Sequence, residues 1–412
     1  MINLYIFTES CHANVYGVGT YIRELAAALK DSDINVCVVH LRSEERDDGQ
    51  TESDGIRYLY FPLPSNWKTS SDRNKQYELY YRNVVYLLRL QITDTEKLVF
   101  HLNYNQSRKL AEELITTFDC KIITTIHYLD WSLSLSGNIT YFKKLLDVKE
   151  IDMSNEIKKG IVESYQKEKE YFELVEHIIC LSENTQQILR DDYKIKSDKT
   201  IVIYNGLTDC NFNSDKQILR QKYHIPDIPL ILFAGRLNNI KGLKYALQAF
   251  RIVLNQLPQC HFIIVGNGEF DIYMKECEDI WMQVTWTGLI DREKLFDLYS
   301  IADVGVMPSL HEQCSYVAIE MMMHGLPIIS SSSKGLREII VDGETGLHIP
   351  VIEHPDKVEI DISLFAEKML FLLQNPEERK RLGTNARRRY KTVYSAEVFC
   401  SKMTGFYHSL YK

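Results

Sequence analysis

Short runs of apolar or β-branched residues alternate with amphipathic stretches along most of the chain. Continuous apolar runs are typical of strands that are buried on both faces of a sheet. The first series of predicted strands is 2–7, 34–39, 57–61, 98–103, 121–126, 177–181 and 201–204. The second series is 230–234, 261–265, 284–287, 303–307, 327–330 and 347–349. Between the runs, stretches such as 19–30 and 156–174 have helical periodicity, so the pattern predicts an α/β fold with two parallel sheets covered by helices.

The join between the two series is predicted within residues 205–227. Asn205-Gly206 is a turn signal, and Pro226 and Pro229 interrupt any helix just before a new strand. We therefore expect a domain at 1–205, a second at 206–394 and a terminal amphipathic helix at 395–412. Residues 43–54 are predicted to form an exposed loop, and 62–75 and 128–152 to form long irregular loops of the kind that recognise substrates.

Composition restricts the possible functions. The chain has 412 residues and a net charge of −8, which argues against nucleic acid as the main partner. Its nine cysteines include no C-x-x-C pair, which favours a reduced compartment over a disulfide framework or a zinc site. The N-terminus does not resemble a signal peptide, and no stretch approaches the roughly 18 apolar residues of a membrane span. We expect a cytoplasmic protein, with peripheral contact at the inner face of a membrane left open.

Two acids follow a predicted strand directly. Glu312 and Glu320 stand in an E-x7-E spacing after the run 303–307, with Glu312 in the loop and Glu320 in the helix that begins near Ser315. Ligands of open α/β sheets bind at this edge, where a helix N-terminus suits a diphosphate and carboxylates accept hydrogen bonds from sugar hydroxyls. An E-x7-E pair alone is also compatible with two surface acids. Its place immediately after a buried strand favours a binding site.

Two cations follow another predicted strand. Arg236 and Lys241 come after Gly235, at the end of the run 230–234. A glycine lets the backbone approach a ligand, and an Arg fork with a Lys point charge suits a leaving diphosphate. Taken alone, this segment would be interpreted as a loop with two solvated cations.

Together these segments resemble the family-4 glycosyltransferases of the GT-B fold over nearly the whole chain. Further matching segments are Gly17-Val18-Gly19, Thr125-Ile126-His127, Val202-Ile203-Tyr204-Asn205-Gly206, Lys241-Gly242, Val265-Gly266-Asn267-Gly268, Thr287-Gly288-Leu289 and Gly335-Leu336-Arg337-Glu338-Ile339. The resemblance implies two Rossmann-like doubly wound domains facing a central cleft. It also implies that the last helix crosses back to the N-terminal domain.

The resemblance implies roles for the matching residues. Those nearest the reaction are His127 beside the transferred sugar, Arg236 and Lys241 on the diphosphate, and Glu312 on the sugar hydroxyls. The other residues implied in donor binding are Gly17, Gly19, Gly235, Gly266, Leu289, Gln313, Cys314, Ser315, Tyr316, Val317 and Glu320. Among them, Gly17 and Gly19 match a glycine loop, Glu320 the acid on the ribose diol, and Leu289 the nucleobase region.

The implied reaction is retaining and metal-independent, and it needs no cofactor besides the nucleotide-sugar co-substrate. The leaving diphosphate helps to take the acceptor proton on the same face, so catalysis is mostly positioning and charge stabilisation. UDP is favoured as the nucleotide by frequency, with GDP open, and the acceptor is a glycan, a lipid-linked sugar or a peptide. The loop departs from the family's usual E-G-F-G, since it has Glu312-Gln313-Cys314-Ser315.

Alternatives remain open at this point. A GT-B epimerase, a phosphorylase, or a nucleotide-sugar-binding module without activity would share most of these motifs. A dehydrogenase is disfavoured because Ile22 stands where a dinucleotide fingerprint needs its third glycine. Asp31-Ser32-Asp33 has the D-x-D form of a metal-binding motif, but it precedes a strand and is interpreted as a turn. His311 and His324 flank the acidic motif and are not assigned as ligands.

Overall fold

The computed structural model describes residues 1–9, 17–43, 49–63, 73–104, 107–147, 155–210, 215–355 and 357–412. These residues form two compact units. The first draws on Met1–Asp130, Lys149–Thr208 and Ala396–Lys412, and the second on Trp131–Val148 and Asp209–Ser395.

The strands occur where the apolar runs predict them, with three additions. In chain order they are β1 (Ile2–Glu9), β2 (Ile34–Ser43), β3 (Gly49–Ser53), β4 (Ile56–Pro62), β5 (Leu98–Leu102), β6 (Cys120–Ile126), β7 (His177–Cys180), β8 (Thr200–Val202), β9 (Leu230–Ala234), β10 (His261–Val265), β11 (Val284–Gly288), β12 (Val304–Met307), β13 (Ile328–Ser331), β14 (Gly346–Ile349), β15 (Val351–Glu353) and β16 (Val358–Ile360). Every residue of β1 and β9 is buried, as expected for central strands.

Helices cover the sheets. In chain order they are α1 (Gly17–Leu29), α2 (Arg73–Gln91), α3 (Arg108–Thr117), α4 (Asp130–Ser134), α5 (Ile139–Asp147), α6 (Glu156–Leu174), α7 (Glu183–Asp191), α8 (Lys216–Lys222), α9 (Leu243–Leu254), α10 (Phe270–Glu276), α11 (Arg292–Ile301), α12 (Tyr316–Met323), α13 (Lys334–Ile339), α14 (Ile362–Gln374), α15 (Pro376–Arg389) and α16 (Ala396–Ser409).

Each unit has one large sheet. The first sheet has the order β3-β4-β2-β1-β5-β6-β7-β8 and is parallel except for β3, which pairs antiparallel to β4. The second has the order β11-β10-β9-β12-β13-β14 and is parallel throughout. A hairpin of β15 and β16 accompanies the second sheet. The predicted fold of two doubly wound parallel sheets is confirmed.

Two of the predicted loops are wrong in part. Within 43–54, β3 forms a hairpin with β4 through a tight turn in which Asp54 and Gly55 have φ of 55° and 73°. Within 128–152, the helices α4 and α5 form, and the Trp131 ring stacks on Phe142 with centroids 4.2 Å apart. Most of the predicted loop 62–75 lies outside the described residues.

The division into units differs from the sequence-based boundaries in one segment. Residues 131–147 lie between β6 and β7 of the first sheet in sequence, yet they group with the second unit rather than with 1–205. The Asn138 side-chain amide donates a hydrogen bond to the His354 carbonyl at 2.8 Å, and the Thr140 hydroxyl donates to the Glu353 carboxylate at 2.8 Å. These bonds to the β15–β16 hairpin, made far along the chain, explain the difference.

The last helix groups with the first unit. The Ala396 N–H donates to the Leu207 carbonyl at 3.0 Å, and the Phe399 side chain fills the space beside Gly206, where a Cβ would lie only 2.2 Å from it. Gly206 is therefore needed for close packing of α16.

Candidate functional site

The loops that follow β9 and β12 are packed together at the carboxyl edge of the second sheet. β9 and β12 are hydrogen-bonded neighbours, and the Leu310 N–H donates to the Ile240 carbonyl at 2.7 Å. Gly242 has a φ of 67°, and a Cβ there would lie 2.0 Å from the Pro308 carbonyl oxygen. This position therefore requires glycine for both its conformation and its space. The packing brings the predicted basic loop to the predicted acidic loop.

Lys241 and Glu312 form an ion pair at this junction. The Lys241 ammonium donates to Glu312 Oε1, and the Ser309 hydroxyl donates to the same oxygen at 3.0 Å. The two charged side chains are 28% and 12% exposed, so the pair is partly desolvated yet open on one side. Lys241 is the last residue of a 3₁₀ turn. Asn238 caps this turn, because the backbone N–H of Lys241 donates to Asn238 Oδ1 at 3.2 Å. The turn therefore aims the ammonium at the carboxylate.

Arg236 lies in the same loop as Lys241, between β9 and the 3₁₀ turn. It is half-buried and its carbonyl accepts from the Asn238 N–H at 3.1 Å. Because β9, β10 and β12 are parallel neighbours, Arg236, Gly266 and Glu312 all follow the carboxyl ends of adjacent strands.

Glu320 lies one turn inside α12. Its carboxylate is buried and accepts from the Tyr299 hydroxyl of α11 at 3.0 Å. Burial and the Glu320 charge raise the pKa of Tyr299 well above its usual value, so the phenol stays a donor. The Ser315 side chain caps α12 by accepting from the Ala318 N–H, as the sequence predicts for a helix beginning near Ser315.

The loop between Glu312 and α12 is buried. Gln313, Cys314, Ser315 and Tyr316 are each less than a tenth exposed, and Val317 is half-buried. The side chains of Gln313 and Ser315, which stand where E-G-F-G has glycines, are therefore packed here. Gly335 explains how, because a Cβ on it would lie 2.2 Å from the carbonyl oxygens of both Glu312 and Gln313. The sequence marked Gly335 as a family motif but did not show that it supports this loop.

Gly266 and Leu289, the two other residues implied in donor binding that follow strands of this sheet, differ in their packing. A Cβ on Gly266 would lie 1.8 Å from the Gly235 carbonyl oxygen, so Gly266 lets the loops after β9 and β10 pack closely. Leu289 follows β11 and is 61% exposed, as an apolar residue on the open edge of the sheet.

His311, which is not assigned as a ligand from the sequence, is a half-buried neighbour of the ion pair. A Cβ on Gly137, in the segment 131–147, would lie 2.7 Å from His311 Nδ1, so the turn at Gly137 presses directly on the imidazole. Among the described residues, Nε2 of His311 has no hydrogen-bond partner. Burial lowers the pKa of His311 to about 4, so the ring is neutral at pH 7.

In the first unit, His127 stands at the end of β6. Its Nε2 lies 3.0 Å from Asn103 Oδ1, and its ring packs edge-on against the Tyr21 ring with centroids 4.8 Å apart. The Asn103 side-chain N–H donates to the Phe7 carbonyl at 3.1 Å, which turns Oδ1 toward the histidine. Burial lowers the pKa of His127 to about 3, so the ring is neutral at pH 7.

The two glycines that match the family's glycine loop are described as part of a helix. Gly17 and Gly19 lie in the first turn of α1, where Gly17 is exposed and Gly19 is buried. The residues just before them, 10–16, lie outside the described part of the chain.

Two further groups at the carboxyl edge of the first sheet were missed. Glu9 ends β1 and pairs with Arg42 of β2 at 3.3 Å, and the Tyr81 hydroxyl donates to Glu9 at 3.0 Å. His101 of β5 is fully buried and bonded through both ring nitrogens. Neither follows a recognisable motif, because their partners come from distant parts of the chain.

Within the described ranges, no group of three or more His, Cys, Asp or Glu side chains could hold a metal ion. In the same part of the chain, none of the helices has the length and apolar character needed to cross a membrane.

Family models match both units. The model described as Glycosyltransferase Family 4 matches residues 15–209, and that described as Glycosyl transferases group 1 matches residues 215–389. Together they span most of the chain, with the boundary close to the end of the first unit.

Curated relatives include glycosyltransferases. The chain is 26% identical to alpha-D-kanosaminyltransferase of Streptomyces kanamyceticus over 205 residues, covering 49% of this chain and 51% of the relative. It is 30% identical to an uncharacterized glycosyltransferase of Methanocaldococcus jannaschii, over 44% of this chain and 48% of the relative. The chain thus spans about half the length of these curated relatives.

Solved structures share the fold over the whole chain. Sucrose-phosphate synthase from Thermosynechococcus elongatus has a TM-score of 0.78 at 22% identity, covering 100% of this chain and 99% of that one. Anabaena HepE, solved in complex with UDP-glucose, has a TM-score of 0.72 at 14% identity, covering 99% and 100%. At these identities the likeness concerns the fold.

Proposed function

Because the chain belongs to the family-4 glycosyltransferases of the GT-B fold, we propose that it moves a hexose-type sugar from a nucleotide diphosphate sugar to an acceptor. The observation that carries the proposal is the junction of the β9 and β12 loops, where Lys241 and Glu312 pair. A cation for a diphosphate and an acid for sugar hydroxyls stand side by side at the carboxyl edge of a parallel sheet, where such ligands bind.

In this proposal the leaving diphosphate is stabilised by charge. Lys241 exchanges part of its interaction with Glu312 for the phosphate oxygens, and Arg236 adds a second cation from the same loop. The N–H groups at the start of α12 supply further donors, because the first turn of a helix leaves them without intrahelical partners. Fixed donors that meet developing charge lower the barrier to departure.

Glu312 and Glu320 act on the rest of the donor. Glu312, held by Ser309, accepts hydrogen bonds from hydroxyls of the transferred sugar. Glu320, held by Tyr299, accepts from the ribose diol, and Leu289 covers the base. UDP is the favoured nucleotide, supported by the UDP and UDP-glucose bound in HepE, which shares the fold.

We further propose that transfer proceeds with retention, through attack on the face from which the diphosphate leaves. Both cations and both acids are then used for positioning, and no metal is required for charge stabilisation. His127, neutral and oriented by Asn103, is assigned to the transferred sugar. The acceptor is a glycan, a glycolipid or a peptide, and the scattered cysteines support a cytoplasmic location.

A donor screen tests the proposal. Purified protein is incubated with UDP- and GDP-hexoses, with and without glycan, lipid and peptide extracts, and free nucleotide is measured. We expect acceptor-dependent release of UDP and a product whose anomeric configuration equals that of the donor. Release of nucleotide without any transferred sugar, or conversion of the donor to an epimer, would show that the protein catalyses a reaction other than sugar transfer. Binding without any release would leave a nucleotide-sugar-binding module.

A further inference from the structure

A hydrogen-bonded chain of side chains crosses the core of the first unit. The Tyr407 hydroxyl of α16 lies 2.8 Å from His101 Nδ1, and His101 Nε2 lies 2.7 Å from Thr125 Oγ1. The Thr125 hydroxyl lies 3.0 Å from the hydroxyl of Tyr21. All four side chains are fully buried, so water does not compete for these bonds. This series of hydrogen bonds joins the last helix to β5, β6 and α1.

The Tyr21 end of this hydrogen-bonded series packs against His127. The Tyr21 ring meets the His127 ring edge-on, with centroids 4.8 Å apart and an interplanar angle of 77°. Tyr21 is fixed at its hydroxyl by Thr125 and along its ring by Phe399 of α16, whose centroid lies 5.7 Å away. One side of the His127 ring therefore packs against a residue that α16 holds in two ways.

His101 transmits the arrangement because it is neutral. Burial lowers the pKa of His101 to about 3, so one ring nitrogen donates and the other accepts. The role of Tyr407 at Nδ1 thus determines the role of Thr125 at Nε2. Loss of the Tyr407 hydroxyl leaves a buried nitrogen without its partner, which is costly, so the ring and its neighbours must shift.

We propose that Tyr407 is a positioning residue for His127, acting through His101, Thr125 and Tyr21. The inference rests on the proposed function, which assigns His127 to the transferred sugar. It gives α16 a part in the reaction as well as in packing, since the last helix then sets the orientation of a side chain at the end of β6.

Tyr411 provides a matched control. Its hydroxyl donates to the Leu98 carbonyl at 2.7 Å, so it also ties the C-terminal segment to β5, but to backbone rather than to the histidine. Tyr407→Phe and Tyr411→Phe each remove one such hydroxyl. A role confined to packing predicts equal kcat in the two folded variants, whatever their stabilities.

The experiment measures kcat and KM for the donor in both variants. We expect Tyr407→Phe to lower kcat about tenfold with the donor KM unchanged, as a small misplacement of a reacting group does, and Tyr411→Phe to leave kcat unchanged. Equal kcat in the two variants, whether reduced or not, would overturn the inference. If Tyr407→Phe does not fold, Thr125→Val and Thr125→Ser replace it, because serine keeps the hydroxyl and should restore kcat.

A spectroscopic readout separates this inference from the proposed function. In protein labelled with ¹⁵N-histidine, the ring signals of His127, assigned by their loss in His127→Asn, should shift in Tyr407→Phe and not in Tyr411→Phe. If these shifts are observed but the protein transfers no sugar, the coupling of Tyr407 to His127 stands and the proposed function is refuted. Transfer by the wild type with unshifted His127 signals would retain the function and refute the coupling.

Discussion

The ammonium of Lys241 contacts the carboxylate of Glu312, although the two residues are 71 positions apart in the chain. They meet because β9 and β12 are parallel neighbours and their loops pack through Gly242 and Leu310. The pair is partly exposed, so its two charges remain available to a charged and hydroxylated ligand.

Removal of the Lys241 charge should abolish most transfer. Lys241→Ala is expected to lower kcat by about 10²–10³-fold, since one charge stabiliser is worth that much, and Arg236→Ala should behave alike. The matched control is Lys244→Ala, which breaks an exposed pair with Glu276 at 3.1 Å and should leave kcat unchanged. A folded Arg236→Ala/Lys241→Ala protein with near-normal turnover contradicts the assignment.

The Tyr299 hydroxyl should matter for donor affinity more than for the chemical step. Tyr299→Phe removes the donor to Glu320, so we expect the donor KM to rise several-fold with kcat nearly constant. Tyr245→Phe is the control, because its hydroxyl donates to the Val358 carbonyl at 3.1 Å in the same unit. If kcat falls and KM does not change, Glu320 acts on the reacting sugar and not on the ribose.

Gly335 should tolerate no side chain. A Cβ would lie 2.2 Å from two backbone carbonyls, so Gly335→Ala is expected to cost about 1–3 kcal/mol of unfolding free energy and to displace the Glu312 loop. Gly160→Ala, within α6 and with no atom within 4 Å of the new Cβ, should stabilise by about 0.5–1 kcal/mol. Urea titration of both variants checks the expected opposite signs. Equal changes in the unfolding free energy of the two variants would mean that the Glu312 loop moves to accommodate the new Cβ.

The lowered pKa of His311 should make the free energy of unfolding fall in acid. Burial lowers the folded-state pKa of His311 to about 4, below the value of about 6.5 in the unfolded chain. The unfolded state therefore binds more protons between those values, so the stabilisation is full above pH 6.5 and is lost as the pH falls toward 4.

The His311→Gln variant isolates this effect. Because glutamine does not titrate, the difference in unfolding free energy between wild type and variant should change by about 2 kcal/mol in favour of the variant from pH 7.5 to pH 5. Urea titrations at both pH values measure it. An unchanged difference would show that the ring is not buried in its neutral form.

The fold was predictable because central strands carry an unambiguous signal. β1 and β9 are buried along their whole length, and continuous apolar runs are the sequence pattern that such strands produce. β3 was missed because it is an edge strand whose residues are mostly exposed. The turn itself carries a hairpin signal, since Asp54-Gly55 is an Asp-Gly pair in which both residues have positive φ.

The site was predictable only as far as it follows strand ends. Lys241 and Glu312 could be assigned because each comes directly after an apolar run. His101 and Tyr407 could not, since 306 positions separate them and no motif joins them. The same holds for Asn138 and His354, 216 positions apart, whose bond assigns the segment 131–147 to the second unit.

Calorimetric titration of UDP into wild type, Lys241→Ala and Lys244→Ala tests the central claim most directly. The claim is that the loops after β9 and β12 bind a nucleotide diphosphate through Lys241. We predict that wild type and Lys244→Ala bind UDP with the same affinity and that Lys241→Ala binds at least about tenfold more weakly, a loss of about 1.4 kcal/mol. Equal affinity of all three proteins, or no binding by the wild type, would contradict the claim.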